Sequence, residues 1–506
     1  MPGTAKNDEG RFYFAVKQEK DTAGTSISGQ QAGTVGTSWK QFKMPFTARS
    51  GDKPRLEIYA NYRKQTLEFG GFAWLNFGES LSLDRLPIVQ VDLNYRGREA
   101  GAPWRKAALE RIETIRKGPL KVTVLDKNGK PVSGATVKFQ QTKSAFPFGS
   151  HVPSHMFPGN WPPTDGGGYS NTEFRHRSAD GGKVGDDYRK VVRENFEIVT
   201  NGFGWRLWED KDRFRPQVLQ DMKRWDAMGL QVKNHVLLYP REDLLPDSIP
   251  KMSPTDAKKA LFDYIDAVVP ATHKDVAIYD VMNEPFSSIV YQLKLKDNPD
   301  AYFALQAELF NRVKKLAPGA KTVLNDAGQD TSDEALEKFL TWAQKVKDQS
   351  GKIEEYGVQA HVGVMAPPEE ILKRFDRLSA GGQTLNISEF DVKIGEQKTP
   401  EIQSYEADVL RDYLILAFSH PKMTHFILWG FWDGDHWLGN GPLFNLDWTP
   451  KPAYSVWKDL VLTKWRTNAN AQTDKDGTAS IRGFKGDYEL TVSHGGKTQT
   501  AQVNRA

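Results

Sequence analysis

The feature that most constrains the fold is an alternation of strand-like and helix-like segments that repeats along residues 143–465. Short apolar runs, typical of buried strands, lie at 146–151, 196–203, 231–238, 276–282, 322–325, 357–361, 384–388 and 425–430. Amphipathic segments typical of helices lie between them, for example at 253–269, 301–316, 332–346 and 367–378. Eight such units predict an α/β fold, the (β/α)8 TIM barrel. The alternative, a doubly wound sheet, needs a glycine-rich phosphate turn after the first strand, and this sequence has none there.

The segments on either side of the barrel predict β-domains. Residues 1–102 contain short alternating runs, such as 39–46 and 55–59, which predict an N-terminal β-sandwich. Its aromatic residues, Trp39 and Trp74 among them, serve either as a carbohydrate-binding platform or as a packed core. Residues 103–118 predict a linker helix, with Pro103 in its first turn. Residues 119–142 and 466–506 each hold too few strands for a core, so we predict one small β-sandwich, split in sequence around the barrel.

Composition narrows the classes of partner. The chain has 506 residues, with 68 basic and 64 acidic side chains and a net charge of +4. This balance predicts no nucleic-acid partner and no attraction to an anionic membrane, and no apolar run is long enough for a transmembrane helix. Cysteine is absent and the ten histidines form no His-x-His or His-Glu-x-x-His pattern, so we expect neither a metal nor a cofactor.

Two glutamates stand at the ends of the predicted fourth and seventh strands. Active sites of such barrels lie at the C-terminal ends of the strands, where this chain places Glu284 and Glu389. Retaining glycoside hydrolysis needs two carboxyl groups about 5–5.5 Å apart. One is protonated to release the leaving group, and the other is ionised to attack the anomeric carbon. We therefore predict Glu284 as the general acid/base and Glu389 as the nucleophile.

Residues beside the two glutamates suit supporting roles. Asn283 precedes the proposed acid, where its amide can bind a sugar 2-hydroxyl. Gln359 and His361 end the sixth strand, from which His361 can orient Glu389, and Asp391 can set the protonation of His361.

Tryptophan is abundant, with 14 in all, and four lie between Trp429 and Trp448 in a Gly- and Asp-rich stretch. Loops lie at the surface, so this cluster favours stacking on sugar rings.

These motifs resemble those of glycoside hydrolase family 10, the main family of endo-β-1,4-xylanases. The runs DVMNE at 280–284 and ISEFD at 387–391 resemble its acid/base and nucleophile motifs, QAH at 359–361 its sixth strand, and ND at 325–326 its fifth. Similar matches cover about residues 119–490. The resemblance implies a TIM barrel, Glu284 and Glu389 as the catalytic pair, and further roles for a wider set. That set comprises the substrate-binding residues Asn283, His361, Gln359, His235, Asn201, Tyr239, Trp205, Trp429 and Trp437, and the supporting residues Asp391 and Asp433.

The chain departs from the family pattern in two places. The second strand of the family ends Glu-Asn-x-x-Lys-Trp, whereas residues 200–205 read TNGFGW, so that only Asn201 and Trp205 match. The third strand usually ends Trp-His, and here it ends Tyr239-Pro240. Because a sugar site discriminates through paired hydroxyl contacts, the pocket is altered. Arg206, or else Glu209 or Lys211, replaces the missing groups, or the sugar is not plain xylose.

The leading hypothesis is a retaining hydrolase that cleaves β-1,4-linked xylan or a related polysaccharide by double displacement. One alternative is a hydrolase of a different or decorated β-glycoside, and another is a polysaccharide-binding protein without turnover. Because a polysaccharide is too large to enter a cell, we expect the protein to be secreted or periplasmic, although the first residues, Met1-Pro2-Gly3-Thr4, carry no signal pattern. The exact sugar, endo or exo action, and the oligomeric state stay open.

Overall fold

A computed structural model describes residues 10–18, 31–47, 53–60, 65–78, 81, 85–86, 94–153, 156–157, 183–202, 204–212, 214–286, 290–393 and 399–505. The strands in chain order are β1 (Gly10–Gln18), β2 (Gln31–Val35), β3 (Pro54–Tyr59), β4 (Lys117–Thr123), β5 (Thr136–Ser144), β6 (Phe148–His151), β7 (Ile198–Asn201), β8 (Gln231–Asn234), β9 (Ile278–Asn283), β10 (Lys321–Asp326), β11 (Glu355–Val358), β12 (His361–Val362), β13 (Thr384–Val392), β14 (Met423–Leu428), β15 (Asn468–Gln472), β16 (Thr478–Phe484), β17 (Gly486–His494) and β18 (Lys497–Arg505). The α-helices are Pro103–Ile115, Lys183–Asn195, Trp205–Glu209, Phe214–Ala227, Pro254–Thr272, Val290–Lys294, Pro299–Leu316, Asp333–Asp348, Pro368–Ser379, Pro400–Ser419 and Pro452–Trp457.

Strands β6 to β11, with β13 and β14, close into a parallel barrel. Each pairs with its neighbour in this order, β11 pairs with β13, and β14 returns to pair with β6. All residues of β7 and β9 are buried, because the helices cover the outer face of the sheet and side chains fill its interior. The predicted (β/α)8 barrel is therefore confirmed.

The barrel helices begin where the sequence supplies a capping residue. The side-chain oxygens of Ser253, Asn298, Ser332 and Thr399 each accept a hydrogen bond from the backbone N–H three residues later. Such a cap satisfies one of the otherwise unpaired N–H groups of the first turn. Proline at the first position of three of these helices fits the same place, since its missing N–H has no partner there anyway.

The sixth and seventh strands differ from their predicted extents. The run predicted at 357–361 is divided into β11 and β12 at Gln359 and Ala360, and Ala360 has a positive φ of 60°. The run predicted at 384–388 continues to Val392, because β12 pairs with its extension through His361 opposite Asp391. Glu389 therefore lies inside β13 rather than after it, and the break places Gln359 beside the strand end.

Strands from both sides of the barrel segment pair with each other. β4 pairs with β16, and β5 pairs with β15 and β17, which in turn pairs with β18. A small core of Val137, Phe139, Tyr488 and Leu490 lies between these strands. β4 begins at Lys117, inside the segment predicted as the linker. The boundaries predicted at 119–142 and 466–506 stay a prediction.

The described part of residues 1–102 contains an antiparallel sheet with the strand order β2-β1-β3. β3 matches the alternating run 55–59, whereas the run 39–46 forms no regular strand. Phe12 of β1 is buried, but Trp39 and Trp74 are 73% and 55% exposed. Much of this segment lies outside the described residues, so the predicted sandwich stays a prediction, while the two tryptophans are placed at the surface rather than in a core.

The helix Pro103–Ile115 attaches the N-terminal segment to the barrel. Arg105 forms a buried ion pair with Asp412 on the helix Pro400–Ser419, with 2.9 Å between Nη2 and Oδ2. Trp104 donates from Nε1 to the carbonyl oxygen of Gly97 at 2.8 Å. The helix is thus anchored at its N-terminal end by a charge pair and by an aromatic side chain, both of which are buried.

Candidate active site

Glu284 follows directly after β9, at the C-terminal end of the barrel. Its φ of 43° lies in the left-handed region, which costs a non-glycine residue about 1–3 kcal/mol and is concentrated at functional sites. Its N–H donates to the carbonyl oxygen of Asn325 at 2.9 Å. Gln359 donates from Nε2 to Oε1 of the Glu284 carboxyl group at 3.1 Å. The half-buried side chain is therefore directed into the barrel mouth rather than along the strand.

Tyr239 supplies a second contact to Glu284. Its hydroxyl group is hydrogen-bonded to the Glu284 carboxyl group, and burial together with the negative charge of Glu284 raises the pKa of this phenol. The hydroxyl group therefore stays protonated and can donate a hydrogen bond to the carboxyl group. Arg241 donates to the same hydroxyl oxygen at 3.3 Å. This tyrosine stands where the family pattern has tryptophan, and in this chain its hydroxyl group contacts the proposed acid/base.

Glu389 lies in β13 and is only 4% exposed. Asn325 donates from Nδ2 to its Oε1 at 2.7 Å, and Nε2 of His361 lies 3.3 Å from its Oε2. Nδ1 of His235 lies 3.9 Å from Oε1. Both carboxyl oxygens of Glu389 therefore face hydrogen-bond donors of neighbouring strands.

Amide side chains join the two glutamates in one hydrogen-bonded group. Oδ1 of Asn283 accepts from Nδ2 of Asn325 at 2.8 Å and from Nε2 of Gln359 at 3.3 Å. Since these two amides also donate to Glu389 and Glu284, the polar chain runs without interruption from one carboxyl group to the other. The structure thus brings together the residues that the sequence placed on strands four, six and seven.

The orientation of Asn325 is fixed by two neighbours. The hydroxyl of Ser388 donates to its Oδ1 at 2.7 Å, so that Nδ2 is left to face Glu389. Gly357 on β11 lies directly opposite in the register. A Cβ atom at Gly357 would lie 2.0 Å from Oδ1 of Asn325. Glycine at this position therefore makes room for the amide.

His361 and Asp391 form a charged pair behind the nucleophile. Nδ1 of His361 lies 2.8 Å from Oδ1 of Asp391, and Trp437 donates from Nε1 to Oδ2 of Asp391 at 2.6 Å. Burial alone would lower the pKa of His361, but the charge of Asp391 and the hydrogen bonds to Asp391 and Glu389 raise it to about 9. His361 is therefore a cation at neutral pH, and it donates to both carboxylates.

A second group of charged side chains, from β8, the residue after it and β9, lies close to Glu389. Nδ1 of His235 lies 2.9 Å from Oδ2 of Asp280, and Nζ of Lys233 lies 3.0 Å from the same oxygen. Burial would lower the pKa of His235, but the charge of Glu389 and the hydrogen bond to Asp280 raise it. Lys233 and Asp280 are fully buried. Through its hydrogen bond to Asp280, this ion pair fixes the position of the His235 ring beside Glu389.

Tryptophan rings line the same region. Trp429 follows β14, and its ring lies 4.6 Å from that of His151 and 5.1 Å from that of His235. The ring of Trp437 lies 5.2 Å from that of His361. Both tryptophans are half-buried, so part of each ring borders the space in front of the glutamates.

Three predicted substrate-binding residues of the second strand and its following helix make contacts elsewhere. Trp205 is 3% exposed and stacks on Tyr264, with ring centroids 4.9 Å apart and an interplanar angle of 9°. Arg206 forms an ion pair with Asp247 at 3.2 Å. Asn201 is fully buried and donates to the carbonyl oxygen of Val152 at 3.2 Å. Packing and surface pairing account for these contacts of Trp205 and Arg206.

Asp433 supports the loop after β14 rather than the glutamates themselves. Its Oδ1 lies 2.6 Å from Nζ of Lys451, and both side chains are buried. The same ammonium group donates to Oδ1 of Asn440 at 2.8 Å and to the carbonyl oxygen of Gly441 at 2.7 Å. This cluster holds the segment that carries Trp437.

Asp326 is a site residue without an assigned role in the sequence prediction. Burial, with a smaller contribution from the negative charges of Glu284 and Glu389, raises its pKa to about 7. Asn325, Ser388, Asp280 and Lys233 were likewise not assigned roles. The ND pair at 325–326 and the aspartate of DVMNE carried a signal, because they belong to the motifs of the resemblance. Ser388 carries the same signal, since it belongs to the ISEFD run, whereas Lys233 shows none, because its role depends on which side chain of another strand it faces.

In the part of the chain that the structure describes, no group of three or more His, Asp or Glu side chains is arranged to hold a metal ion. Over the same residues, no helix is both long and apolar enough to cross a bilayer.

The barrel carries two carboxyl groups, joined by hydrogen-bonded amides, at the C-terminal ends of strands four and seven. This is the arrangement of the glycoside hydrolase class. The model of glycosyl hydrolase family 10 matches residues 173–460. The chain belongs to this family, as the motifs of the sequence predicted.

Relatives and solved structures agree with this family. The anti-sigma-I factor RsgI6 of Acetivibrio thermocellus is 26% identical over 413 residues, which are 80% of this chain and 49% of that protein. Endo-1,4-beta-xylanase 2 of Arabidopsis thaliana is 23% identical over 423 residues, which are 80% of this chain and 36% of that protein. The chain thus spans about half the length of these relatives or less.

Among solved structures, xylanase 10B of Thermotoga petrophila in complex with xylobiose has a TM-score of 0.53 at 19% identity, covering 63% of this chain and 95% of that chain. Xylanase 10B of Thermotoga maritima has a TM-score of 0.53 at 20% identity, covering 63% and 96%. At these identities the likeness concerns the barrel fold.

Proposed function

We propose that this protein is a retaining hydrolase of β-1,4-linked xylan or a related polysaccharide, which acts by double displacement. The observation that carries the proposal is the continuous chain of amide hydrogen bonds from Glu284 to Glu389. It ties a half-buried carboxyl group that faces a neutral phenol to a buried carboxylate that faces a histidine cation. These are the different surroundings that an acid and a nucleophile need.

Each step assigns one bond change to one glutamate. A carboxylate oxygen of Glu389 attacks the anomeric carbon while the bond to the leaving oxygen breaks, and Glu284 gives that oxygen its proton. The glycosyl-enzyme ester is then attacked at the anomeric carbon by water, which loses a proton to Glu284 as the bond to Glu389 breaks. His361, charged throughout, stabilises the carboxylate of Glu389 whenever it is free.

Variants of the two glutamates test the proposal and separate their roles. Glu389→Ala and Glu284→Ala should each remove turnover of xylan, because each deletes one reacting group. With added azide, Glu284→Ala should form a glycosyl azide that retains the configuration of the substrate, whereas Glu389→Ala should form the inverted azide. Glu337, which pairs with Arg377 on exposed helix surfaces, is the matched control. Normal hydrolysis by either alanine variant would refute the assignment.

Two observations on the sugar site support a decorated or otherwise different β-glycoside, instead of plain xylan, as the substrate. The family glutamate and lysine of strand two are absent, with Thr200 and Gly204 in the corresponding places. Trp205 and Arg206 are engaged with Tyr264 and Asp247. Release of reducing sugar from a panel of plain and substituted polysaccharides decides this point. Highest activity on unsubstituted xylan would remove the alternative.

A polysaccharide sensor without turnover is the second candidate. The observation that favours it is the match, over 80% of this chain, to a protein that is named as an anti-sigma factor. Binding of xylan without any product after prolonged incubation would support this candidate over hydrolysis. Either function acts on a polymer, so we propose that the protein works outside the cytoplasm, in a secreted or periplasmic location, which fractionation of the producing cells tests.

A further inference from the structure

Lys393 follows Glu389 and Asp391 in the series of alternate residues along β13 and its extension. Alternate residues of a strand point to the same face, and β13 ends at Val392. The N–H of Lys393 still donates to the carbonyl oxygen of Val362 at 2.7 Å, so the extended backbone continues through this residue. The lysine therefore rises from the nucleophile towards the mouth of the barrel.

The ammonium group of Lys393 rests on an aromatic ring of the site. Its Nζ lies 4.2 Å from the ring centroid of Trp437, whose Nε1 is held by Asp391 at 2.6 Å. The lysine is largely enclosed, and burial lowers its pKa, while the charges of Asp391, Glu284 and Glu389 act in the opposite direction. The cation therefore stands in the field of both proposed catalytic carboxyl groups.

Among the residues that the structure describes, no carboxylate lies at contact distance from the ammonium group of Lys393. Within the described ranges, ion pairs at 4.0 Å or less join the other cleft cations His235 and His361 to carboxylates, but none involves Lys393. An enclosed ammonium group without a partner is unfavourable. It is tolerated here through the ring of Trp437 and the more distant carboxylates. A ligand anion would complete the site.

An acidic ligand would need such a cation, because neighbouring side chains of the cleft are negatively charged. Glu389 and Asp391 act on Lys393 through their negative charges, and the same charges would repel a negatively charged sugar. A positive charge at the mouth offsets that repulsion locally. An ammonium group against a flat ring also offers a carboxylate one charged contact and its neighbouring sugar ring an apolar surface.

We propose that Lys393 and Trp437 form a site for the carboxylate of a uronic acid unit carried by the polysaccharide at or next to the cleaved bond. This inference rests on the proposed function and names its substrate class, an acidic substituted β-glycan. It also gives a physical reason why the neutral contacts of strand two are dispensable, since a charged group supplies the specificity instead. A sulfate ester on the sugar would present the same charge, and the test separates the two.

The test compares substrates that differ only in the charged group. Xylo-oligosaccharides with a uronic acid branch are compared with the same compounds after reduction of the carboxyl group to an alcohol, and with sulfated xylo-oligosaccharides. For the wild-type protein kcat/KM is measured, and for Glu389→Gln binding is measured by calorimetry at low and high salt. We expect the acidic compound to exceed its reduced form about tenfold in both measurements, with a smaller ratio at high salt, and to exceed the sulfated one.

Variants of Lys393 test whether this lysine causes the preference for the acidic compound. Lys393→Met should reduce the ratio between acidic and reduced compounds to about one, and Lys393→Arg should restore most of it. The matched control is Lys345→Met, because Nζ of Lys345 lies 5.1 Å from the ring centroid of Phe303 and this exposed lysine should leave the ratio unchanged. Thermal unfolding confirms that each variant is folded.

Four outcomes are distinguishable. Equal cleavage and equal binding of acidic and reduced compounds by the wild-type protein would overturn the lysine site and leave the hydrolase in place. Tighter binding of the acidic compound without cleavage would support the lysine site and reject the hydrolase. A preference for sulfate over carboxylate would overturn the uronic acid assignment. Failure to bind or cleave any compound would overturn both proposals.

Discussion

Replacing Gly357 by alanine is expected to disable the site through one displaced amide. The added Cβ atom would lie 2.0 Å from Oδ1 of Asn325, whereas ordinary contact begins at 3.4 Å, so one of the two must move by about 1.4 Å. Gly357 is held in β11 opposite Asn325, which leaves the Asn325 side chain to move. A displacement of this size is incompatible with the 2.7 Å hydrogen bond from Asn325 to Glu389.

The expected loss follows from that hydrogen bond. A hydrogen bond to a charged group contributes about 1.5–3 kcal/mol, and each 1.36 kcal/mol corresponds to a factor of ten in rate. We therefore expect kcat to fall roughly 10- to 100-fold, with a smaller change in KM. The protein should stay folded, since overpacking at one site costs about 1–3 kcal/mol.

The assay is steady-state hydrolysis of the best polysaccharide substrate, together with thermal unfolding. Gly319→Ala is the control, because nothing lies within 4 Å of a Cβ atom there. In an Asn325→Ala background, the Gly357→Ala change should have little further effect, since the group it displaces is already gone. A folded Gly357→Ala protein with the wild-type kcat would refute this reasoning.

Three further predictions concern charge and surface. Because the folded-state pKa of His361 is about 9 against 6.5 for a free histidine, its protonation stabilises the fold by about 3 kcal/mol. This stabilisation is complete below about pH 6.5 and lost as the pH rises through about 9. The difference in thermal stability between wild type and His361→Asn should therefore shrink over that window, and a difference independent of pH would contradict the assignment. Arg105→Met should lower Tm by roughly 2–5 °C, because the buried Asp412 loses one of its two arginine partners and keeps only Arg411 and the hydroxyl of Tyr95, and an unchanged Tm would show that the remaining contacts suffice. Trp39→Ala should weaken retention on insoluble xylan without changing hydrolysis of short oligosaccharides, since Trp39 is 73% exposed, and unchanged retention would exclude it as a platform.

The barrel and the positions of its two glutamates could be predicted from the sequence. Buried parallel strands read as short apolar runs, and the C-terminal ends of all strands meet at one face of the barrel. Glu284 and Glu389 therefore had to lie at the same face once the strands were counted. The split pairing of β5 with β15 and β17 followed from a similar count of strands on either side.

Other assignments could not be made from the sequence. Trp205 matched a motif, yet it stacks on Tyr264, because a ring next to a strand end finds either a sugar or a neighbouring helix. The division of the sixth strand at Gln359 and Ala360 left no pattern in the sequence, although it places Gln359 against Glu284.

The sequence by itself determined the class of fold and the strand ends at which the two glutamates stand, because these depend on periodicity and on the order of strands along the chain, and its motifs determined the family. Only the tertiary structure decided which polar side chains join those carboxyl groups. Asn325 faces Glu389, His361 carries a charge and Lys393 stands over Trp437 because each contact joins residues on different strands and loops. Contacts of that kind depend on side-chain direction and burial, which local sequence does not encode.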